Sequence, residues 1–290
     1  MSAAAGQRGA SAAEIQHHYD VGNDFYALWL DPSHTYSCAL WDGPADTLER
    51  AQLRKLDYLA EAARAQGAAR VLDIGCGWGS MLRRLLDRHE AGSVVGLTLS
   101  EAQAEAVRGW DEPRCEVRVE SWARHEPARP YDAIVSIGAF EHFADYGVSR
   151  AERVLAYREF FERCRGWLPP GGRLALQTIA KGSNVRLDRA TLHDARFITE
   201  RIFRGSEVPW PSEILLASER RFEVVAIRND AEHYRRTTQA WLDGLLAHRD
   251  RAVELVGEET VEEYVRYLSV SARSFAKGHL GLLRVTLERT

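Results

Sequence analysis

The chain has 290 residues, 45% hydrophobic and 28% charged, an ordinary globular balance that excludes a wholly disordered or fibrous polypeptide. With 38 basic against 42 acidic residues the formal charge is −4, which offers no field to gather a phosphate backbone, so nucleic acid is not an expected partner. Cys38, Cys76, Cys115 and Cys164 lie far apart without metal-ligand or disulfide-framework spacing, so no metal is expected and a reducing cytoplasm fits.

Residues 1–14 are mostly Ala, Ser and Gly without the apolar core of a secretory signal, and read as a flexible tail. No apolar run approaches the roughly 20 residues of a bilayer span, so membrane contact is expected to be peripheral at most. Residues 15–290 read as one domain, with N-terminal cover helices over 15–65. From Ala69 to Arg173, β-branched runs alternate with helical stretches, the pattern of a parallel sheet joined by crossover helices. Strands are expected at Arg70–Ile74, Ser93–Leu99, Cys115–Glu120, Tyr131–Ile137 and Arg173–Ile179. The first and fourth are nearly continuous in apolar character, as strands covered on both faces should be.

The run Pro169-Pro170-Gly171-Gly172 ends a helix that starts near Arg150 and turns the chain into the fifth strand. Helices are expected at Asp188–Phe203 and Pro211–Arg220, and further strands at Phe222–Arg228 and Leu282–Glu288. Helical periodicity from Glu232 to Ala276, marked by Tyr234, Trp241, Leu245, Tyr264, Leu268 and Phe275, predicts a cap over the carboxyl ends of the strands. The cap is expected to comprise about 185–220 and 232–276. Between its parts, Phe203 to Pro211 is punctuated by Gly and Pro and reads as a mobile lip over an acceptor tunnel.

The first strand opens directly into Gly75-Cys76-Gly77-Trp78-Gly79 and then a helix, so the glycines let the backbone turn tightly and approach a ligand closely. Asp73 separates this loop from a dinucleotide site. A carboxylate there would repel pyrophosphate, whereas it suits the ammonium of a methionine moiety. Asp73, Gly75, Gly77 and Gly79 thus resemble the first motif of class I methyltransferases, which bind S-adenosyl-L-methionine. The expected fold is α/β: a Rossmann-like, seven-stranded, mostly parallel sheet with helices on both faces and a helical cap. The acid that usually ends the second strand for the ribose is missing. Gln103 can take over that contact, Ser100 reads as a helix cap, and Trp122 is placed beside the adenine.

Several separated blocks together resemble the cyclopropane fatty acid synthase and mycolic acid cyclopropane synthase family in its compact form. They are His17 to Tyr26, Thr35-Tyr36-Ser37-Cys38-Ala39, the glycine loop, Gly96-Leu97-Thr98-Leu99-Ser100, and Ser136 to Phe143. The likeness spans nearly the whole chain. It implies methyl transfer from S-adenosylmethionine to an alkene carbon, proton loss and closure of a three-membered ring, with Tyr36, Ser37, Thr98 and Leu99 among the cofactor contacts. Such chemistry needs an alkene held at reacting distance and a cation shielded from water. Tyr19, Phe140, Phe143 and Tyr234 are candidates for an aromatic tunnel.

In this family a bicarbonate ion resembles the base that removes the proton. The residues matching its site are Cys38, Ile137, Glu141 and Tyr234, the first two through backbone groups. Glu141 would accept the bicarbonate proton and Tyr234 would donate a hydroxyl. Where the family has a His in the fifth strand, this chain has Gln177, which donates an N–H but does not titrate near neutral pH. Three readings of Gln177 stay open: an anion site with weaker proton shuttling, a change to plain C- or N-methylation, or a simple strand hydrogen bond.

The compact form implies an acyl chain on carrier protein, another lipid, or a small isoprenoid or polyketide as acceptor. Arg201 and Arg204 could meet a phosphate on it. An N- or C-methyltransferase of a small natural product, and a non-catalytic cofactor-binding partner protein, are the alternatives, and oligomeric state is left open.

Overall fold

Strands β1 (Val71–Ile74), β2 (Val94–Thr98), β3 (Cys115–Val119), β4 (Ala133–Ile137), β5 (Arg173–Lys181), β6 (Phe222–Asn229) and β7 (Leu280–Arg289) form one sheet ordered β3-β2-β1-β4-β5-β7-β6. β7 runs antiparallel to β5 and β6, and the other pairs are parallel. The structure, a computed structural model, describes residues 21–186, 189–202 and 206–290. Tyr19, with the rest of His17 to Asp20, and Arg204 in the expected lip lie outside the described residues.

β1 is buried throughout and β4 nearly so, as expected of strands covered on both faces. Helices α2 (Leu48–Ala62) and α3 (Ser80–Asp87) cover one face, where Leu56, Leu59, Leu82 and Leu85 pack on Val71 and Val94. α4 (Glu101–Arg108) follows β2, with Ser100 capping it by accepting from the Gln103 N–H. The other face carries α5 (Arg150–Trp167), which starts at a reciprocal capping box between Ser149 and Glu152 and buries Phe160 and Phe161.

After β5 come α6 (Arg189–Phe197), which relaxes into a wider π-turn over Ile198–Ile202, and α7 (Pro211–Ser218). α7 departs from the expected cap. Its Ile214 and Ala217 are fully buried in the main core with Phe161 and Phe222, so it belongs to the layer that covers the sheet.

The cap itself is α8 (Ala231–Ala247), α9 (Arg249–Val256) and α10 (Glu258–Ala276), closed by the short α1 (Asn23–Ala27). Its aromatic core joins Phe25, Tyr26, Trp29, Trp241 and Tyr264, with Phe25 edge-on to Tyr264 at 4.9 Å. Among the described residues no helix is long and apolar enough to cross a membrane.

Candidate active site

β1 has β2 on one side and β4 on the other, so the chain direction around the sheet reverses at its carboxyl end, where open α/β sheets keep their ligand crevice. The glycine loop sits there. Gly75 has φ 84° and a Cβ added to it would lie 2.5 Å from the Ala139 Cβ, so no side chain fits between this loop and the turn after β4. Gly79 has a different role. It is absent from the cleft wall, and a Cβ there would overlap the Trp110 ring and the Val107 side chain, so this glycine lets α3 start against α4.

A cleft of about 1100 Å³, part of it open to solvent, lies beside the loop and has room for a nucleoside cofactor. Tyr36, Ser37, Asp73, Gly75 and Gly77 line it, together with Thr98, Leu99, Gln103 and Trp122. Thr98 Oγ1 donates to Gln103 Oε1 at 2.8 Å, which turns the amide nitrogen of Gln103, a donor only, away from Thr98. Trp122 is both wall and core, edge-on to Phe160 at 5.4 Å. Asp73 is 2% exposed and its Oδ1 has no hydrogen-bond partner, while burial pushes its carboxyl up to about 7. An orphaned carboxylate oxygen on a glycine-lined nucleoside-sized cleft fits the ammonium of S-adenosylmethionine.

A second cleft of about 870 Å³ meets the first along Tyr36, Gly138 and His142, which line both. Its walls include Tyr234, Tyr267, Phe275, Ile179 and Ile198, with Ser206 and Val208 from the expected lip. Tyr234 stacks on Phe275 at 4.6 Å. Glu141 projects into this apolar space from a tight 3-10 turn (Phe140–His142). Its Oε1 accepts from the Ile179 N–H at 2.6 Å, its Oε2 is buried without a partner, and burial raises its carboxyl from 4.5 to about 7. His142, bonded through Nδ1 to Ser206 Oγ at 2.7 Å, is pushed by burial down to about 4 and stays neutral near pH 7.

The sequence-predicted anion site is therefore split between layers. Glu141 and Tyr234 face the second cleft and Ile137 the first, whereas Cys38 and Gln177 lie behind the walls, both essentially closed to water. Gln177 stands opposite Arg284 in the β5–β7 ladder. Its Oε1 accepts from Arg284 Nε at 2.8 Å and its Nε2 donates to the Cys38 carbonyl at 3.4 Å. Arg284, 1% exposed, also donates to the Ala39 carbonyl at 3.1 Å and pairs with Asp230. Because guanidinium only donates, the amide orientation of Gln177 is fixed, and neither half of it points into a cleft.

Two expected tunnel residues sit elsewhere. Phe140 is fully buried in the main core, stacked on Tyr157 at 4.4 Å, and Phe143 lines the first cleft, not the second. Three residues complete one 3-10 turn, so Phe140 and Phe143 point the same way, back to the core, while Glu141 points to the second cleft. Arg201 is occupied by Glu263 on the surface. Lys55, Gln52, Tyr267 and Arg284 were not expected at the site. The visible signal for the first two is polar residues on the apolar face of α2.

The Glu141 carboxyl carries a stability consequence. The folded state keeps this proton where the unfolded chain has released it, so the group subtracts stability as pH rises from 4.5 to about 7. Ligand-free Glu141→Gln is expected to gain on the parent across that window, by on the order of 3 kcal/mol above it and by little at pH 4. Urea midpoints of both proteins at pH 4 and 8 check this, and a difference that ignores pH refutes it.

Comparison with known proteins gives a consistent picture. The family model described as mycolic acid cyclopropane synthetase matches residues 7–285. Cyclopropane mycolic acid synthase 3 of Mycobacterium tuberculosis is 36% identical over 288 residues, covering 95% of this chain and 96% of that protein. Among solved structures, the cyclopropane synthase MmaA2 from Mycobacterium tuberculosis superposes with a TM-score of 0.89 at 34% identity, over 97% of this chain and 99% of that one. The mycolic acid cyclopropane synthase CmaA1, complexed with SAH and CTAB, superposes with a TM-score of 0.88 at 31% identity, with the same coverage of 97% and 99%.

Proposed function

The chain belongs to the mycolic acid cyclopropane synthetase family of S-adenosylmethionine-dependent methyltransferases, and from that premise we propose that it methylates an alkene carbon of an unsaturated acyl, isoprenoid or polyketide-type substrate and closes a cyclopropane ring. The observation that carries the proposal is the presence of both Glu141 and Tyr234 in the wall of an apolar cleft that meets the cofactor cleft at Tyr36, Gly138 and His142.

Asp73, the glycine loop, Gln103 and Trp122 would hold the cofactor, which supplies an electrophilic methyl on a sulfonium. The chain's own contribution is positioning and exclusion of water. Tyr36, Tyr234, Tyr267 and Phe275 surround an alkyl chain with rings, whose faces favour nearby positive charge. His142, neutral near pH 7, adds no competing cation at the junction. Glu141 accepts the O–H of a bicarbonate through its unpartnered Oε2, and Tyr234 donates its hydroxyl, so a bound bicarbonate is held with an oxygen free to take the proton. That proton leaves the methyl-derived carbon as the ring closes, and the product is heavier by one CH2.

The Gln177 geometry favours a second reading, methyl transfer followed by proton loss without ring closure, because its amide is committed to Arg284 and the Cys38 carbonyl. Incubation of the protein with methyl-labelled S-adenosylmethionine and unsaturated acyl substrates is expected to yield the CH2-extended product. Proton NMR then separates the readings, since cyclopropane protons appear at unusually high field and branched-alkene protons do not. Transfer to amines with none to any alkene would overturn both.

A further inference from the structure

The first cleft holds a buried cation and a buried carboxylate that do not pair with each other. Lys55 is among its lining residues, closed to water, and its ammonium donates to Ser37 Oγ at 2.9 Å without an ion pair among the described residues. Asp73 leaves Oδ1 unpartnered on the same cleft. Burial pushes the Lys55 ammonium down to about 7 and the Asp73 carboxyl up to about 7. Two unpaired buried ionisable groups cost stability, and each loses that cost when it meets an opposite charge. A ligand bearing a carboxylate and an ammonium on one carbon, an α-amino acid, meets both.

The hydrogen-bond directions specify how. An ammonium has only donors, so Ser37 Oγ must accept from Lys55, and its own hydroxyl hydrogen is left to point elsewhere. Ser37 lines the cleft, which makes that hydrogen a donor toward an anion there. Gln52, three residues before Lys55 on the buried face of α2, donates to the Thr35 and Ser37 carbonyls at 3.1 and 2.8 Å and fixes the serine backbone.

We propose that Lys55, acting through the hydroxyl of Ser37, is the carboxylate-holding half of an amino-acid clamp whose ammonium-holding half is Asp73. The proposal rests on the reading that this cleft takes S-adenosylmethionine, and makes Lys55 a positioning residue for its methionine carboxylate. Asp73 lies at the end of β1 and Lys55 on α2, so the clamp also ties the sheet to its covering helix when loaded.

Titration calorimetry with S-adenosylhomocysteine and its decarboxylated analogue tests this on the full chain. Lys55→Met is expected to weaken S-adenosylhomocysteine about tenfold to a hundredfold, the worth of a charge-assisted contact, and to leave the analogue within about twofold. Ser37→Ala should show the same split, which keeps the test alive if the lysine variant folds poorly. Equal weakening of both ligands by the variants would mean a merely structural lysine and overturn the clamp. Binding of neither ligand by the parent chain would overturn the cofactor reading itself, and the clamp with it.

Discussion

Replacing Glu141 by Gln is expected to slow product formation by about a hundredfold to ten-thousandfold, the usual reach of a positioned proton acceptor or its orienter, while the affinity for S-adenosylhomocysteine stays unchanged. Glutamine keeps the shape and can still accept from the Ile179 N–H. What it loses is the second carboxylate oxygen, Oε2, which is buried without a partner on a residue that lines the apolar cleft. An amide presents N–H donors there, which repel rather than orient another O–H. Single-turnover rates with labelled cofactor and an unsaturated substrate, alongside calorimetry, separate chemistry from binding. A variant as active as the parent would remove Glu141 from the reaction, and the mechanism built on it.

The second large effect concerns stability. Asp230→Ala is expected to cost about 3–5 kcal/mol, because it leaves the Arg284 guanidinium, 1% exposed, as an uncompensated buried charge. The reverse deletion should be milder. Asp230 also accepts from Arg228 Nη2 at 2.8 Å, so Arg284→Met leaves it a cation. The combined change Asp230→Leu with Arg284→Met should recover most of the loss, as replacement of a buried pair by apolar groups often does. Urea unfolding of the three variants reads this directly. Equal costs for the two single changes would show that Arg284 is not held chiefly by Asp230.

The strands of the sheet were legible because each carries its own signal, a short apolar run bounded by turns. The extra length of β5 and β7 was not. β5 continues through Ala180 and Lys181 because β7 pairs with it back to Leu280, and such pairing is invisible in either segment alone. The cofactor side was legible for the same local reason: Asp73 and the glycines are contiguous, and their strand-loop-helix setting is itself local. Lys55 escaped because a lysine on a helix ordinarily keeps its charge in water, and its burial depends on a loop that begins eighteen residues earlier at Ser37. Arg284 escaped similarly, since its anion lies 54 residues away at Asp230. Phe140 misled because the shared block around Glu141 does not reveal the tight turn that sends the rings inward and Glu141 outward.

Gln177 and Arg284 stand opposite each other on β5 and β7, and the amide is the group that satisfies the guanidinium there. A histidine placed alone at 177 would face a fixed positive charge and be held in its neutral form, without the acid half of a proton relay. The two positions therefore work as a couple: whatever side chain stands at 177 has a buried guanidinium to satisfy before it can serve a proton relay.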